Sequence, residues 1–325
     1  MPDRVGAPGA PRLPGERLIL ALVGPTAAGK TEAAMLLADR YPVSLISLDS
    51  AMVYRGMDIG TAKPSAEELR QYPHALIDIR EPHEIYTVAE WVAEADLAVR
   101  AAFAAGRVPL LVGGSMLYLK AFREGIAAMP PADREIRAAL EAEAAQHGPR
   151  HLYERLLRLD PEAAAGIHPN NFPRIQRALE VHALTGATIS SHWKSTRGAH
   201  DRHAAALLEF GVEPDSRAGL HRRIERRLQV MLEQGFVDEV ARLRARVQMN
   251  RSLPSMRAVG YRQVWDYLDG QGSERQMREN VLAATRQLAR RQLTWMRSWP
   301  QLLTLASGSA AEVARGIALK AGLTV

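Results

Sequence analysis

The segment Gly24-Pro25-Thr26-Ala27-Ala28-Gly29-Lys30-Thr31 constrains this chain more than any other. It has the spacing GxxxxGK[ST], between the apolar run Leu18–Val23 and the helix-like run Lys30–Arg40. A strand that turns tightly into a helix over such a loop converges backbone N–H groups and adds the positive end of the helix dipole to them. That geometry holds phosphate oxygens. Lys30 would neutralise a terminal phosphate, and the Thr31 hydroxyl is of the type that ligates Mg²⁺. A phosphate loop of this kind serves kinases, NTPases and transferases whose leaving group is diphosphate, so by itself it leaves all three open.

Short apolar runs alternate with longer amphipathic ones downstream. Val43–Leu48, Ala75–Ile79 and Val108–Val112 read as strands, and Val88–Ala105 reads as a helix. This rhythm predicts an α/β fold, a P-loop NTPase-like parallel sheet covered on both faces. Residues 130–182 change to Ala, Glu and Arg at helical spacing, broken at Pro161 and Pro169–Asn171. Strand character then returns at Ala204–Val212, followed by Arg-rich helical patterns from Leu220 and across Glu279–Ser298. The expected organisation is a flexible Pro/Gly-rich tail at 1–16, a core domain formed by 17–122 and 203–325, and an all-helical insertion domain at 123–202. A length of 325 residues, at roughly 150 per domain, agrees with two domains.

Asp49 directly follows the run Val43–Leu48, at the strand edge where open α/β sheets gather their ligands; a carboxylate there suits proton removal. The stretch from Tyr54 to Pro64, polar and punctuated by Gly, reads as a binding loop. By contrast Val108–Val112 runs into Gly113-Gly114-Ser115, without the acid that commonly ends the corresponding strand of an NTPase. This argues against an ordinary ATPase.

Composition adds exclusions. With no Cys, the chain has no thiol catalysis, disulfide, cysteine zinc site or iron–sulfur ligation. Of 42 basic residues 37 are Arg, the side chain that forks onto phosphate and stacks on bases, and the net charge is +6. The surplus is local: ten Arg face four acids between Leu220 and Arg262. Leu220, Ile224, Leu228 and Met231 give one apolar stripe there, which leaves Arg222, Arg223, Arg226 and Arg227 on the other faces. The scattered His151, His168, His182, His192, His200, His203 and His221 lack metal-ligand spacing and read as surface or cap residues; Trp265, Trp295 and Trp299 read as core. No stretch reaches the roughly 18 apolar residues of a membrane span, and no heptad seam is visible, so a cytoplasmic monomer is expected.

The motifs GPTAAGKT (24–31), SLDSAMVYRGMDIGTAKP (47–64), GGSMLY (113–118), NNFPRIQRALEV (170–181), HRRIERRLQVML (221–232), RAVGYRQVW (257–265) and RRQLTWMR (290–297) together resemble the bacterial-type tRNA dimethylallyltransferases, or tRNA isopentenyltransferases. The resemblance runs from about Leu18 to Pro300. It implies transfer of a dimethylallyl group from dimethylallyl diphosphate to N6 of the adenosine 3′ of the anticodon. The products are diphosphate and N6-(dimethylallyl)adenosine, and Mg²⁺ is the cofactor. The resemblance assigns catalysis to Asp49, Ser115 and Arg223, and the diphosphate to Gly24 through Thr31. It assigns the tRNA anticodon stem-loop to Asp49, Ser50, Ala51, Met52, Arg137, Pro173, Arg174, Ile175, Gln176, Arg177, Arg257, Gly260, Tyr261, Arg262, Arg290, Arg291 and Arg297. Ser115 departs from the family's usual Thr but keeps the hydroxyl. A nucleotide or small-molecule kinase is the alternative that the P-loop allows.

Overall fold

The computed structural model describes residues 17–127, 129–194, 198–306 and 308–324; the tail expected at 1–16 lies outside the described residues. The chain divides into two units. One takes in the described residues up to Arg123 and from Ala199 on, and the other is Glu124–Gly198.

The first unit begins with β1 (Arg17–Val23), buried at every position after Arg17, and α1 (Lys30–Arg40). It continues through β2 (Val43–Leu48), α2 (Ala66–Gln71), β3 (His74–Ala75), α3 (Val88–Ala104), β4 (Val108–Gly113) and α4 (Met116–Glu124). After the second unit it resumes with α10 (Ala199–His203), β5 (Ala205–Glu213), α11 (Arg217–Glu233), α12 (Phe236–Arg244), α13 (Tyr261–Leu268), α14 (Glu274–Arg297), β6 (Leu303–Ala306) and α15 (Ala310–Ala321). The second unit is wholly helical, with α5 (Arg134–His147), α6 (Pro149–Leu159), α7 (Pro161–Ala165), α8 (Phe172–Thr185) and α9 (Ile189–Trp193).

The six strands form one sheet in the order β3-β2-β4-β1-β5-β6, and every pairing is parallel. Such strands are buried on both faces, which is why they are continuous apolar runs rather than alternating ones. Ala33, Ala34 and Leu37 of α1 pack on one face together with Val313, Ile317 and Ala321 of α15. On α3, Trp91, Val92, Ala95 and Val99 are buried, and Trp91 Nε1 donates to the Ser47 carbonyl at 3.0 Å. No described helix is long and apolar enough to cross a membrane.

One expected strand is much shorter than its apolar run suggests. Ala75–Ile79 contributes only Ala75 to β3, because Leu76 and Asp78 take left-handed backbone angles (φ 67° and 54°) and turn the chain off the ladder. The N–H groups of Asp78, Ile79 and Arg80 bond instead to the carbonyls of Met52 and Val53. The loop after β2 therefore gains a backing that hydropathy could not reveal.

In the second unit Leu140, Leu152, Leu156, Ile175 and Leu179 form the core. Glu180 is fully buried in it and accepts from Arg137 Nε at 2.8 Å, Arg177 Nη1 at 2.8 Å and the Asp133 N–H at 2.8 Å. These donors hold the Glu180 carboxyl below its usual range despite burial, which acts the other way.

Candidate active site

Sheet order brings the site together. In the register, Gly113 at the end of β4 is opposite Val23 on one side and Leu48 on the other. The P-loop, the Gly-Gly-Ser turn and Asp49 therefore leave the sheet side by side at one level. With strands about 4.8 Å apart, β1 and β2 lie roughly 10 Å from each other, and β4 fills the gap. All three segments line one cavity of about 760 Å³, together with residues of α11 and α14.

On the β1 side, α1 starts at Lys30, capped by Gly29 in the left-handed conformation (φ 79°). Lys30 Nζ donates to the Pro25 carbonyl at 2.7 Å. Burial lowers its pKa to about 7, the Arg227 charge adds to the lowering, and Asp49 partly opposes it. An amine so poorly solvated calls for an anion. Thr31 is half-buried in the first turn and lines the cavity.

Two guanidiniums from α11 face this loop. Arg223 Nε donates to the Ala27 carbonyl at 3.0 Å, and its buried Nη2 has no hydrogen-bond partner among the described residues. One turn later Arg227 Nη1 reaches Thr26 Oγ1 at 3.4 Å, and burial lowers its pKa. Neither forms an ion pair with a carboxylate among the described residues. Arg222 and Arg226 are exposed, so of the four arginines the amphipathic pattern left undivided, the pair at i and i+4 faces the P-loop. Arg227 was absent from the expected site; its spacing from Arg223 was the signal.

Gln292 of α14 is a second residue that local sequence did not disclose. It is buried, accepts from the Thr26 N–H at 2.9 Å and donates to the Gly114 carbonyl at 3.0 Å, tying the P-loop to the β4 turn. A Cβ at Gly114 would lie 2.2 Å from Gln292 Nε2, so this close approach needs glycine. No spacing rule links positions 26 and 292.

On the β2 side, Asp49 Oδ1 accepts from the N–H groups of Ala51 at 2.8 Å and Met52 at 3.3 Å, an Asx-type turn. Its Oδ2 makes no hydrogen bond among the described residues. Burial raises the Asp49 pKa, opposed by the two backbone N–H groups and by Lys30. Ser115, between the two sides, accepts from the Ser50 N–H at 3.1 Å. The remaining wall is mixed: an apolar part includes Leu228, Met231, Val281 and Leu288, and Lys63, Glu68, Arg257, Thr285 and Arg291 also line the cavity.

The residues expected to meet tRNA separate into groups. Ser50, Ala51, Met52, Arg257, Gly260 and Arg291 line the cavity; Arg262, Arg290 and Arg297 are exposed, as are Pro173 and Arg174 on the second unit. Ile175 is fully buried in the second unit's core, and Arg137 and Arg177, both part-exposed, pair with the buried Glu180. Gln176 is also buried, donating to the Arg137 carbonyl at 3.2 Å and to Glu141 at 3.1 Å. Tyr261 belongs to the cavity wall but is itself fully buried.

The local basic surplus is smaller in space than in sequence. Arg244, Arg246 and Arg251 pair with Asp269, Glu81 and Asp266, which lie outside the counted window. Trp265 and Trp299 are core, whereas Trp295 is half-buried and lines the cavity. His203, expected at the surface, is buried and bonds Asp96 at 2.7 Å through Nε2. No cluster of three or more His, Cys, Asp or Glu that could hold a metal occurs among the described residues.

A parallel sheet whose first strand ends in a P-loop, with Arg223 and Arg227 facing that loop and a glycine rather than an acid ending the neighbouring β4, defines a protein of P-loop fold. The model of the IPP transferase family matches residues 52–299, and the chain belongs to that family. It is 54% identical over 288 residues to a tRNA dimethylallyltransferase of Alkalilimnicola ehrlichii, covering 89% of this chain and 90% of the relative. It is 52% identical over 293 residues to tRNA dimethylallyltransferase 2 of Hahella chejuensis, covering 86% and 88%. Among solved structures, the full-length tRNA isopentenylpyrophosphate transferase of Bacillus halodurans superposes with a TM-score of 0.67 at 37% identity, over 94% of this chain and 96% of that one. A eukaryotic dimethylallyltransferase acting on tRNA shares the fold, with a TM-score of 0.78 at 22% identity over 94% and 79%.

Proposed function

We infer that this chain is a tRNA dimethylallyltransferase that prenylates N6 of the adenosine 3′ of the anticodon, using dimethylallyl diphosphate. The carrying observation is that a phosphate loop backed by Arg223 and Arg227 shares one cavity with Asp49, about two strand spacings away. A kinase would use the same loop and could also use a carboxylate beside it to orient an acceptor hydroxyl, so what favours prenyl transfer over phosphoryl transfer is the family to which the chain belongs.

In this reading the P-loop N–H groups, Lys30, Arg223 and Arg227 hold the diphosphate, and the apolar part of the wall takes the five-carbon chain. The adenine, flipped out of the anticodon loop at a cost of a few kcal/mol, enters beside Asp49. Its N6 lone pair forms the new bond to the allylic carbon as the carbon–oxygen bond breaks, and that electron pair leaves on diphosphate. Positive charge building on N6 makes its proton acidic, and Asp49 Oδ2 takes it. Ser115, held by the Ser50 N–H, lies between donor and base and orients the amine.

The Thr31 hydroxyl makes no hydrogen bond among the described residues, and no carboxylate cluster accompanies it. Such a donor set fits Mg²⁺, which keeps water and substrate phosphates as its other ligands. When bound, the ion would neutralise diphosphate charge. Arg257, Arg262, Arg290, Arg291 and Arg297 would meet RNA phosphates, and the enzyme would act as a cytoplasmic monomer.

The direct test is label transfer from dimethylallyl diphosphate to unmodified tRNA with Mg²⁺. The expected result is prenylated tRNA with one diphosphate released per transfer. Transfer of the ATP γ-phosphate to a small acceptor, without prenylation, would overturn the reading. For the RNA surface, Arg291→Ala should weaken tRNA binding and reduce the slope of log affinity against log salt by about one. An unchanged slope would assign Arg291 to solvent.

A further inference from the structure

A buried carboxylate outside the cavity holds two of its walls in register. Glu239 of α12 is 3% exposed and does not line the cavity. Its Oε2 accepts from the N–H groups of Asp58 at 3.0 Å and Ile59 at 2.8 Å. Oε1 accepts from the Gly60 N–H at 3.2 Å and from the Tyr261 hydroxyl at 2.6 Å. Three of these donors belong to the loop that starts at Asp49, and the fourth begins α13, whose preceding residues 257–260 form another part of the wall. No Lys or Arg forms an ion pair with Glu239 among the described residues; its charge is met by hydrogen bonds alone.

Packing reinforces the same junction. The rings of Phe236 and Tyr261 meet edge to face with centroids 5.2 Å apart, and a Cβ at Gly60 would come within 2.1 Å of Phe236. The loop also has a cationic counterpart. Lys63, with a side chain 2% exposed, donates to the Tyr54 carbonyl at 2.9 Å, to Asp58 at 2.5 Å and to Asp78 at 2.6 Å. Asp58 therefore gives its N–H to Glu239 and its carboxylate to Lys63. A stretch lacking helix or ladder is held from one side by an anion among N–H donors and from the other by a cation among oxygens.

We propose that Glu239 is a positioning residue for transfer: it sets the loop from Asp49 to Lys63 against the segment 257–261, fixing the width of the opening that receives the adenine. This rests on the reading of the Asp49 side as the nucleobase side. The diphosphate side is independent of Glu239, because its contacts are made by α1, α11 and α14.

Glu239→Gln keeps size but turns one acceptor oxygen into an NH₂ group facing N–H donors. Tyr261→Phe removes one bond of the four and keeps the ring. With wild-type transfer first established, both variants are assayed for kcat, for KM of an anticodon stem-loop, for KM of dimethylallyl diphosphate and for binding of inorganic diphosphate. Glu239→Gln is expected to lower kcat/KM for the stem-loop at least 30-fold, and Tyr261→Phe about threefold. Diphosphate affinity and the donor KM should stay within twofold. If Glu239→Gln does not fold, the same split in Tyr261→Phe carries the test.

Wild-type rates on the stem-loop in the folded variants would overturn the proposal, and so would equal losses of stem-loop and diphosphate affinity, which would mark a general structural role. If the wild-type protein does not prenylate the stem-loop at all, the underlying reading of the site fails instead.

Discussion

Asp49→Asn is expected to lower kcat for prenyl transfer by 10²- to 10⁴-fold, roughly the contribution of a positioned general base, while tRNA affinity changes by less than about threefold. The amide keeps an oxygen to accept from the Ala51 and Met52 N–H groups, so the turn survives. What it loses is the free Oδ2 acid–base function. A single-turnover assay at saturating tRNA measures the effect, and wild-type turnover would remove Asp49 from the mechanism.

The same residue sets a pH dependence with a definite sign. Burial, the largest influence, raises its pKa, and only the ionised form accepts a proton. Activity should therefore fall as pH is lowered, with the acid limb of kcat/KM displaced above the usual carboxylate value of about 4. A limb at or below that value would show that another group titrates.

Lys30→Met is expected to cost 10²- to 10³-fold in kcat, the loss of one preorganised charge at a developing anion, about 3 to 4 kcal/mol. Its second consequence is a change in proton linkage. With a pKa of about 7 in the free protein, Lys30 is mostly neutral at pH 8, and bound diphosphate would restore its charge. Binding should therefore take up close to one proton from buffer at pH 8 in the wild type, beyond any uptake in Lys30→Met. Calorimetry in buffers of different ionisation enthalpy measures the difference. Equal uptake in both proteins would mean that Lys30 is already charged before binding.

The phosphate loop and the start of α1 were legible because a short spacing encodes a short-range structure: the whole motif from Gly24 to Thr31 spans eight residues. Asp49 was legible for a related reason, as it ends an apolar run. Ala75–Ile79 shows the limit of that reasoning, since two left-handed residues outweighed its hydropathy. The motif at 170–181 shows another. Ile175 is fully buried and Arg177 turns to the buried Glu180, whereas Pro173 and Arg174 stay exposed. Which side of a helix faces its own core depends on what packs there, and periodicity alone does not name the neighbour.

The sequence by itself determined the local devices: a loop that can hold phosphate, a carboxylate at a strand end, a helix rich in arginine, and a family resemblance strong enough to suggest the reaction. Only the tertiary structure decided which of them act together. Strand order put β4 between β1 and β2, and thereby Ser115 between the P-loop and Asp49. Packing of α11, α12 and α14 brought Arg227, Glu239 and Gln292 to loops about 180 to 270 residues away. A hydrogen bond depends on distance in space, and separations of that size leave no period in the chain for pattern reading to find.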